Sequence, residues 1–431
     1  MTPEPEPQPG AQTGAQTVLA TVQRDEWARL LALLVAQYRR LDLAEDALAD
    51  AVEAAARTWA RDGVPTNPPA WLLTTARRRV LDRIRAEAVH ARTLPRLAVE
   101  AEIQEEAQRV MADSTAPGER LVHDERLRLV LFCTHPALAP EAAAALTLRL
   151  VMGVPTADIA RLFLVPTATM AARLTRARKR LAAEAFVLPT GADLDGRLDL
   201  AAEVAYLAFT AGYAPGSGPD VLRTDLAAEA VRLVRVIREV APPRAELDAL
   251  LALVLLQHSR RRARVAPDPE TGEPAVVLLP DQDRTRWDHA AIDEAIRLLR
   301  PLVHASPAPY LLQALIAAEH AMAASAAETD WPRIAERYAE LEQLTGSPVV
   351  RLNRAVAIAE ADGPLAGLAL LDGLDLPGHR LPSVRAELLV RAGRHDEALA
   401  AYDAALARCD NEAERAHLRR RREAAAAETR A

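Results

Sequence analysis

Apolar residues recur every three or four positions through most of the chain, and polar breaks separate the runs. Between about Asp25 and Arg40 the repeat is Trp27, Leu30, Leu31, Leu34 and Tyr38, the spacing of one face of an α-helix. A second helix is expected from Ala44 to about Ala60. The stretch Asp62 to Pro69, DGVPTNPP, cannot continue it and is read as a loop. Pro69 suits the first turn of a third helix, Ala70 to about Glu87, because a proline there gives up an N–H that has no partner in any case. Thr93 to Arg120 is polar and acidic and ends in DSTAPGE, the composition of a linker. From Leu121 the pattern predicts helix, helix, tight turn, helix. After VLPTGADLDG (Val187 to Gly196), long Ala/Leu helices alternate with short Pro/Gly breaks to the end.

Composition agrees with helix. Half of the residues are hydrophobic but only 3% are aromatic, and Ala and Leu lead the helix scale while aromatic and β-branched residues favour strands. The expected fold class is all-α. Ala266 to Asp288 is the least helical part of the second half, a loop with AVVLL as a candidate short strand. Near the C-terminus, GRHDEALAAYDAAL has the spacing of a tetratricopeptide unit: a glycine between two helices, small alanines at their contact and Tyr402 in the groove. The first 17 or so residues, rich in Pro, Gln, Gly and Thr, are expected to be a disordered tail. They lack the basic flank and apolar core of a signal peptide. No run approaches the roughly 18 apolar residues of a membrane span. Two cysteines, Cys133 and Cys409, lie far apart, so neither a disulfide framework nor a zinc site is expected, and a reducing cytoplasm fits.

The net charge of −7 does not describe a simple nucleic-acid binder. Charge becomes informative where it clusters. On Thr156 to Leu181, Ile159, Ala160 and Leu162 face inward on a short helix, LVP turns, and Thr167 or Thr169 starts a second helix with Met170, Leu174 and Ala177 inward. Arg173, Arg176, Arg178, Lys179 and Arg180 then lie outward, the arrangement of a helix-turn-helix whose second helix enters the major groove. On Trp71 to Glu87, Arg77, Arg78, Arg79, Arg83 and Arg85 accumulate with few acids, as a helix that grips a DNA backbone would require. Trp71 is read as a core residue in preference to a base-stacking one. The preceding helix carries Asp42, Glu45, Asp46, Asp50 and Glu53, a face suited to a basic protein partner. Asp281, Asp283, Asp288, His289 and Asp293 lie close together, but capping and pairing with Arg284 or Arg286 is the reading preferred over a metal site. No nucleotide loop or catalytic motif occurs, and neither enzyme activity nor a cofactor is expected.

The order of acidic helix, WLLTTARRRVLDRIR, linker, and LTLRLVMGVPTADIARLFLVPTATMAARLTRAR resembles an extracytoplasmic-function-type sigma factor of RNA polymerase. HPALAPEA, LLPDQDRTRWD, TDWPRIAERYAEL and SPVVRLNRAVAIAE resemble the subgroup with a tetratricopeptide-like C-terminal extension. The resemblance implies a tail over 1–21, sigma region 2 over 22–92, a linker over 93–122, sigma region 4 over 123–187 and a helical regulatory extension over 188–431. It implies core RNA polymerase as partner, through the β′ clamp helices and the β flap, and promoter DNA as ligand. A regulatory protein on the extension is a further candidate partner. Asp46 and Asp50, with Glu53, match polymerase-docking positions. Arg77, Arg79, Asp82 and Arg85 match the helix that opens the minus-ten element; Thr167, Thr169, Arg173 and Arg176 match the helix that reads the minus-thirty-five element. Ala49, Val52, Arg78 and Ala171 depart from the family, which often has Gln, an aromatic, Asn and Lys there, and FTAGY (Phe209 to Tyr213) stands in place of NEGY. Two rival readings are a stand-alone helix-turn-helix regulator with a helical sensor domain, and a scaffold whose basic helices are merely solvated.

Overall fold

A computed structural model describes residues 9–90, 125–163, 165–182, 184, 189–213, 224–267, 272 and 274–428. The expected linker, 93–122, lies outside them. The chain forms two compact units, Met1–Val204 and Ala205–Ala431, and the boundary falls within one helix.

In the first unit α1 (Pro9–Tyr38), α2 (Leu41–Asp62) and α3 (Pro68–His90) pack on one another. α1 overlaps the expected tail: it is helical from Pro9, and Leu19 and Val22 are buried, so the apolar stripe of Leu30, Leu31, Leu34 and Val35 begins earlier than its spacing suggested. Arg39, at φ 53°, breaks the helix, and Arg40 then clamps the corner, donating to Asp42 and reaching Glu87 at the far end of α3. α2 buries Leu41, Ala44, Leu48, Ala51, Ala55 and Trp59 along one face. Gly63, at φ 85°, ends it. α4 (Glu125–Cys133) and α5 (Pro140–Leu150) lead into α6 (Thr156–Leu162) and α7 (Thr167–Leu181). Arg197, on α8 (Gly191–Tyr213), is buried; it pairs with Asp193 and donates to the Leu131 carbonyl, tying α8 to α4.

In the second unit α9 (Thr224–Val240), α11 (His289–Leu299) and α12 (Pro309–Met322) surround α10 (Ala245–Ser259). α10 is apolar all round, as a helix enclosed by neighbours must be, with Leu247, Leu250, Leu253, Val254 and Leu256 buried. The candidate strand exists, one residue earlier than AVVLL: β2 (Pro274–Val276) pairs antiparallel with β1 (Val265–Pro267). α13 (Trp331–Thr345), α14 (Pro348–Asp362), α15 (Pro364–Leu370), α16 (Arg380–Arg391), α17 (His395–Leu406) and α18 (Glu412–Glu428) each pack on the next. Asp288 and Asp330 cap α11 and α13 by accepting from the backbone N–H of Ala291 and Arg333.

Two close approaches hold this end together. Gly367 of α15 lies against α14: a Cβ there would fall 2.6 Å from both the Ala355 carbonyl oxygen and the Ala359 Cβ. Tyr402 of α17 is fully buried and donates to Glu387 Oε1 at 2.6 Å, while Arg421 of α18 grips the same carboxylate. Burial works against ionisation of Glu387, but Arg421 and Tyr402 outweigh it and hold its carboxyl below the usual range.

Gly367→Ala should therefore lower stability by about 1–3 kcal/mol, the cost of overpacking against backbone that cannot yield, read as a fall in urea midpoint for unfolding of the full chain. Tyr402→Phe should cost about 1–2 kcal/mol, since it leaves the ring in place and removes a hydrogen bond to a charged group. The Glu387 contribution is present above the normal carboxylate pKa of about 4.3 and is lost as pH falls through the lower folded value. The destabilisation by Tyr402→Phe should thus shrink in acid; a constant difference across pH would contradict the pairing.

Candidate nucleic-acid interface

α6 and α7 form the helix-turn-helix, the first ending before Phe163 and the second starting at Thr167 after Pro166. Ile159 and Ala160 are buried on α6; Met170, Leu174, Ala177 and Leu181 are buried on α7, each three or four residues from the next. That spacing forces the remaining positions outward. Thr167, Thr169, Arg176, Lys179 and Arg180 are exposed and Arg173 is half-buried. The first turn of α7 has no acidic side chain, so its free N–H groups and positive dipole end are left to an anion.

The basic side chains of α7 do not all point to the same place. Arg178 Nε and Nη2 each donate to the Glu45 carboxylate of α2 at 2.8 Å, a two-pronged pair across 133 residues. Half-buried and bidentate, such a pair contributes on the order of 1 kcal/mol. Arg180 donates to the Ala137 carbonyl between α4 and α5. Arg173, Arg176 and Lys179 have no carboxylate within 4.0 Å among the described residues, and their i, i+3, i+6 spacing lines them along one side of the helix.

α3 shows the same division. Leu72, Ala76 and Val80 are core. Arg83 Nη2 pairs with Asp50 at 2.8 Å and its Nη1 lies 3.7 Å from Asp46; Arg79 lies 3.8 Å from Asp50. The arginines expected to hold DNA and the carboxylates expected to dock on polymerase thus engage one another. Glu53 is exposed and pairs with Arg57 one turn along α2, and Arg85 pairs with Asp82 on α3. Arg77 and Arg78 are exposed, with no carboxylate within 4.0 Å among the described residues. Trp71 is half-buried and meets buried Trp59 edge-on, ring centroids 5.6 Å apart, a structural contact.

Spacing alone could not assign these partners. Helical periodicity says that Arg178 leaves the core, not that Glu45 waits for it. Cys133 lies fully buried nearby, and burial, with Glu45 adding to it, pushes its thiol strongly upward; it is not a reactive group.

In the second unit, Asp283 accepts from Thr285, and Asp288 accepts from Ala291 and pairs with Arg261 at 3.1 Å. Asp283 and Asp288 cap as expected, but the pairing expected of Asp281 or Asp283 with Arg284 or Arg286 does not form within 4.0 Å among the described residues; Asp288 pairs with Arg261. Arg284 instead donates to the carbonyls of His320 and Ala323. The fold also brings together residues whose sequence separation hid them: the ligand atoms of His379, Cys409 and Glu414 lie within 4.8 Å of one another. Cys409 faces the Asn411 carbonyl, and His379 Nε2 lies 3.1 Å from Glu414. Burial disfavours the Glu414 anion, yet His379, Arg380 and Arg264 hold its carboxyl low, and two guanidinium groups bearing on one carboxylate oppose a dication there.

Family models match the chain in three places. Sigma-70 region 2 matches residues 25–89, Sigma-70 region 4 matches 128–181, and a family of unknown function, DUF6596, matches 197–303. An uncharacterized protein, R00370, of Rhizobium meliloti (strain 1021) is 39% identical over 407 residues, covering 92% of this chain and 93% of its own. No solved structure matches. No helix among the described residues is long and apolar enough to cross a membrane. The region 2 match covers α1 from Asp25 onward, α2 and nearly all of α3, and the region 4 match covers the helix-turn-helix. With both regions in this order and an extension behind them, the chain belongs to the sigma-70 family, as a sigma factor of the extracytoplasmic-function type with a C-terminal extension.

Proposed function

We propose that the protein binds core RNA polymerase and directs initiation from a specific set of promoters, performing no covalent chemistry of its own. The observation that carries this reading is the row Arg173, Arg176 and Lys179 on α7, solvent-reachable and without carboxylate partners among the described residues, behind the exposed threonines of its first turn. In this reading Thr167 and Thr169 meet base edges at the minus-thirty-five element, and the cations beside them hold phosphates and release counterions. Arg77 and Arg78 supply the corresponding grip of α3 on the minus-ten element, stabilising melted DNA against the few kcal/mol cost of each unstacked step.

The acidic face of α2 docks on the β′ clamp helices, and region 4 engages the β flap. Asp46 and Asp50 reach polymerase by exchanging Arg79 and Arg83 for its basic groups. The freed arginines then become available to DNA. The extension, a stack of helical hairpins of tetratricopeptide type, regulates this core, itself or through a protein partner. The site of action is the cytoplasm, where polymerase and promoter meet.

Promoter-specific run-off transcription with purified core polymerase tests the reading. The full chain, or the chain truncated after Val187, should confer selectivity for promoters lost on deletion of the gene. If neither does, a stand-alone regulator or a scaffold takes its place. Arg173→Ala and Arg176→Ala should each weaken promoter binding and reduce the slope of log affinity against log salt by about 1, while Arg300→Ala, at an exposed position of the second unit, should leave both unchanged. Undiminished protection of the minus-thirty-five region in both α7 variants would displace the contact from this helix.

A further inference from the structure

Most arginines that link helices of the second unit end on carboxylates: Arg235 on Glu294, Arg354 on Glu342, Arg391 on Glu360, Arg421 on Glu387. Three that converge at the end of α10 do not. Arg260 and Arg264 follow that helix, and Arg284 lies in the turn before α11. None of them has a carboxylate within 4.0 Å among the described residues. All three are half-buried.

Neutral groups hold them instead. Arg260 donates to the Tyr213 hydroxyl at 2.6 Å. Arg264 donates to the Tyr213 carbonyl at 2.6 Å and lies 3.5 Å from the centre of its ring. Arg284 lies 4.5 Å from the Trp287 ring centre and binds the carbonyls that end α12. These contacts fix the three guanidinium groups; Glu414 acts on Arg264 and Glu328 on Arg284 only from beyond hydrogen-bonding distance. Arg284 is bound to the backbone of His320, whose ring meets Trp331 edge-on at 5.2 Å. The charge of Arg260 acts on Arg264, Arg284, His320 and Tyr338. Burial, reinforced by Arg260 and Arg284, pulls the His320 imidazole down to about 4, so it is neutral near pH 7 and adds no charge of its own.

Half-buried like charges raise one another's cost, and a protein that holds three together with no carboxylate hydrogen-bonded to any of them gives up stability. An anion restores it. Guanidinium is the group that binds planar or tetrahedral oxyanions with two parallel N–H donors. Trp331 and Tyr338, on α13, pack on one apolar cluster beside His320 and provide flat apolar surface near the charge.

We propose that Arg260, Arg264 and Arg284, with His320, Trp331 and Tyr338, form a binding site for a small organic anion: an oxyanion, phosphate or carboxylate, carried on a planar ring. The site lies wholly within the second unit. Its occupancy does not require polymerase, while its meaning as a regulatory signal rests on the reading of the chain as a regulated sigma factor.

Calorimetric titration of the full chain, without polymerase, tests it with four probes: phenyl phosphate, benzoate, inorganic phosphate and benzyl alcohol. Phenyl phosphate or benzoate should bind about tenfold more tightly than inorganic phosphate, the ring adding to the charge, and benzyl alcohol should not bind. Which of the two ring-bearing probes prevails identifies the oxyanion. Arg260→Gln should weaken that probe about tenfold or more, whereas Arg262→Gln, at the exposed neighbouring position, should not change it. Hydrogen exchange of the unaltered chain supplies the site without any substitution: the probe should slow exchange in 258–264 and 331–345. The proposal fails if neither ring-bearing probe saturates below about 10 mM, a free energy under about 3 kcal/mol. It fails equally if a folded Arg260→Gln chain binds as the parent does, or if protection appears on other helices instead.

Discussion

The acidic face of α2 decides which positive charges the first unit has to spare. Within two turns it presents Glu45, Asp46 and Asp50, and these take hold of Arg178 from α7 and of Arg79 and Arg83 from α3. A guanidinium so engaged is oriented and partly neutralised. What α7 and α3 offer to a phosphate backbone is then the remainder: Arg173, Arg176 and Lys179 on one, Arg77 and Arg78 on the other. The same carboxylates are those through which the chain is proposed to meet polymerase. A single face thus joins the two helices proposed to carry DNA-binding charge.

Such a design follows from composition. With Lys179 as the only lysine, nearly all positive charge is arginine, which holds carboxylates in pairs of parallel hydrogen bonds where lysine would stay hydrated. Ion pairs between exposed arginines and acids are individually weak, so partner exchange costs little. The second unit uses the same residue differently. Arg421 and Tyr402 share Glu387 to fix α16, α17 and α18, whereas Arg260, Arg264 and Arg284 rest on tyrosine, tryptophan and backbone carbonyls.

The helices were legible because the period of their apolar residues is a property of the chain itself. Met170, Leu174 and Ala177 are buried on α7, and Ile159 and Ala160 on α6, where the spacing placed them. Proline and threonine marked where α7 begins. Composition is a weaker guide near the start, where α1 begins at Pro9 and carries Leu19 into the core within a stretch whose Pro, Gln, Gly and Thr point to a tail. Charged partners were illegible for a different reason. An arginine side chain reaches several ångströms in any direction, so periodicity says which residues leave the core but not what they find. Arg178 and Glu45 are 133 residues apart, and Tyr213, Arg260, Arg284 and His320 meet only because four separate segments end at one place.

The scarcity of lysine has one more effect. Lys179 is exposed on the outer side of α7, among the charges proposed to face DNA. An acylating reagent that seeks amines would find, besides the more acidic α-amino terminus, a single ε-ammonium in the whole chain. Its modification would report on the reading helix and on nothing else. A cellular acetyltransferase would face the same choice of one, and would remove charge from the chain at the row proposed to hold the promoter.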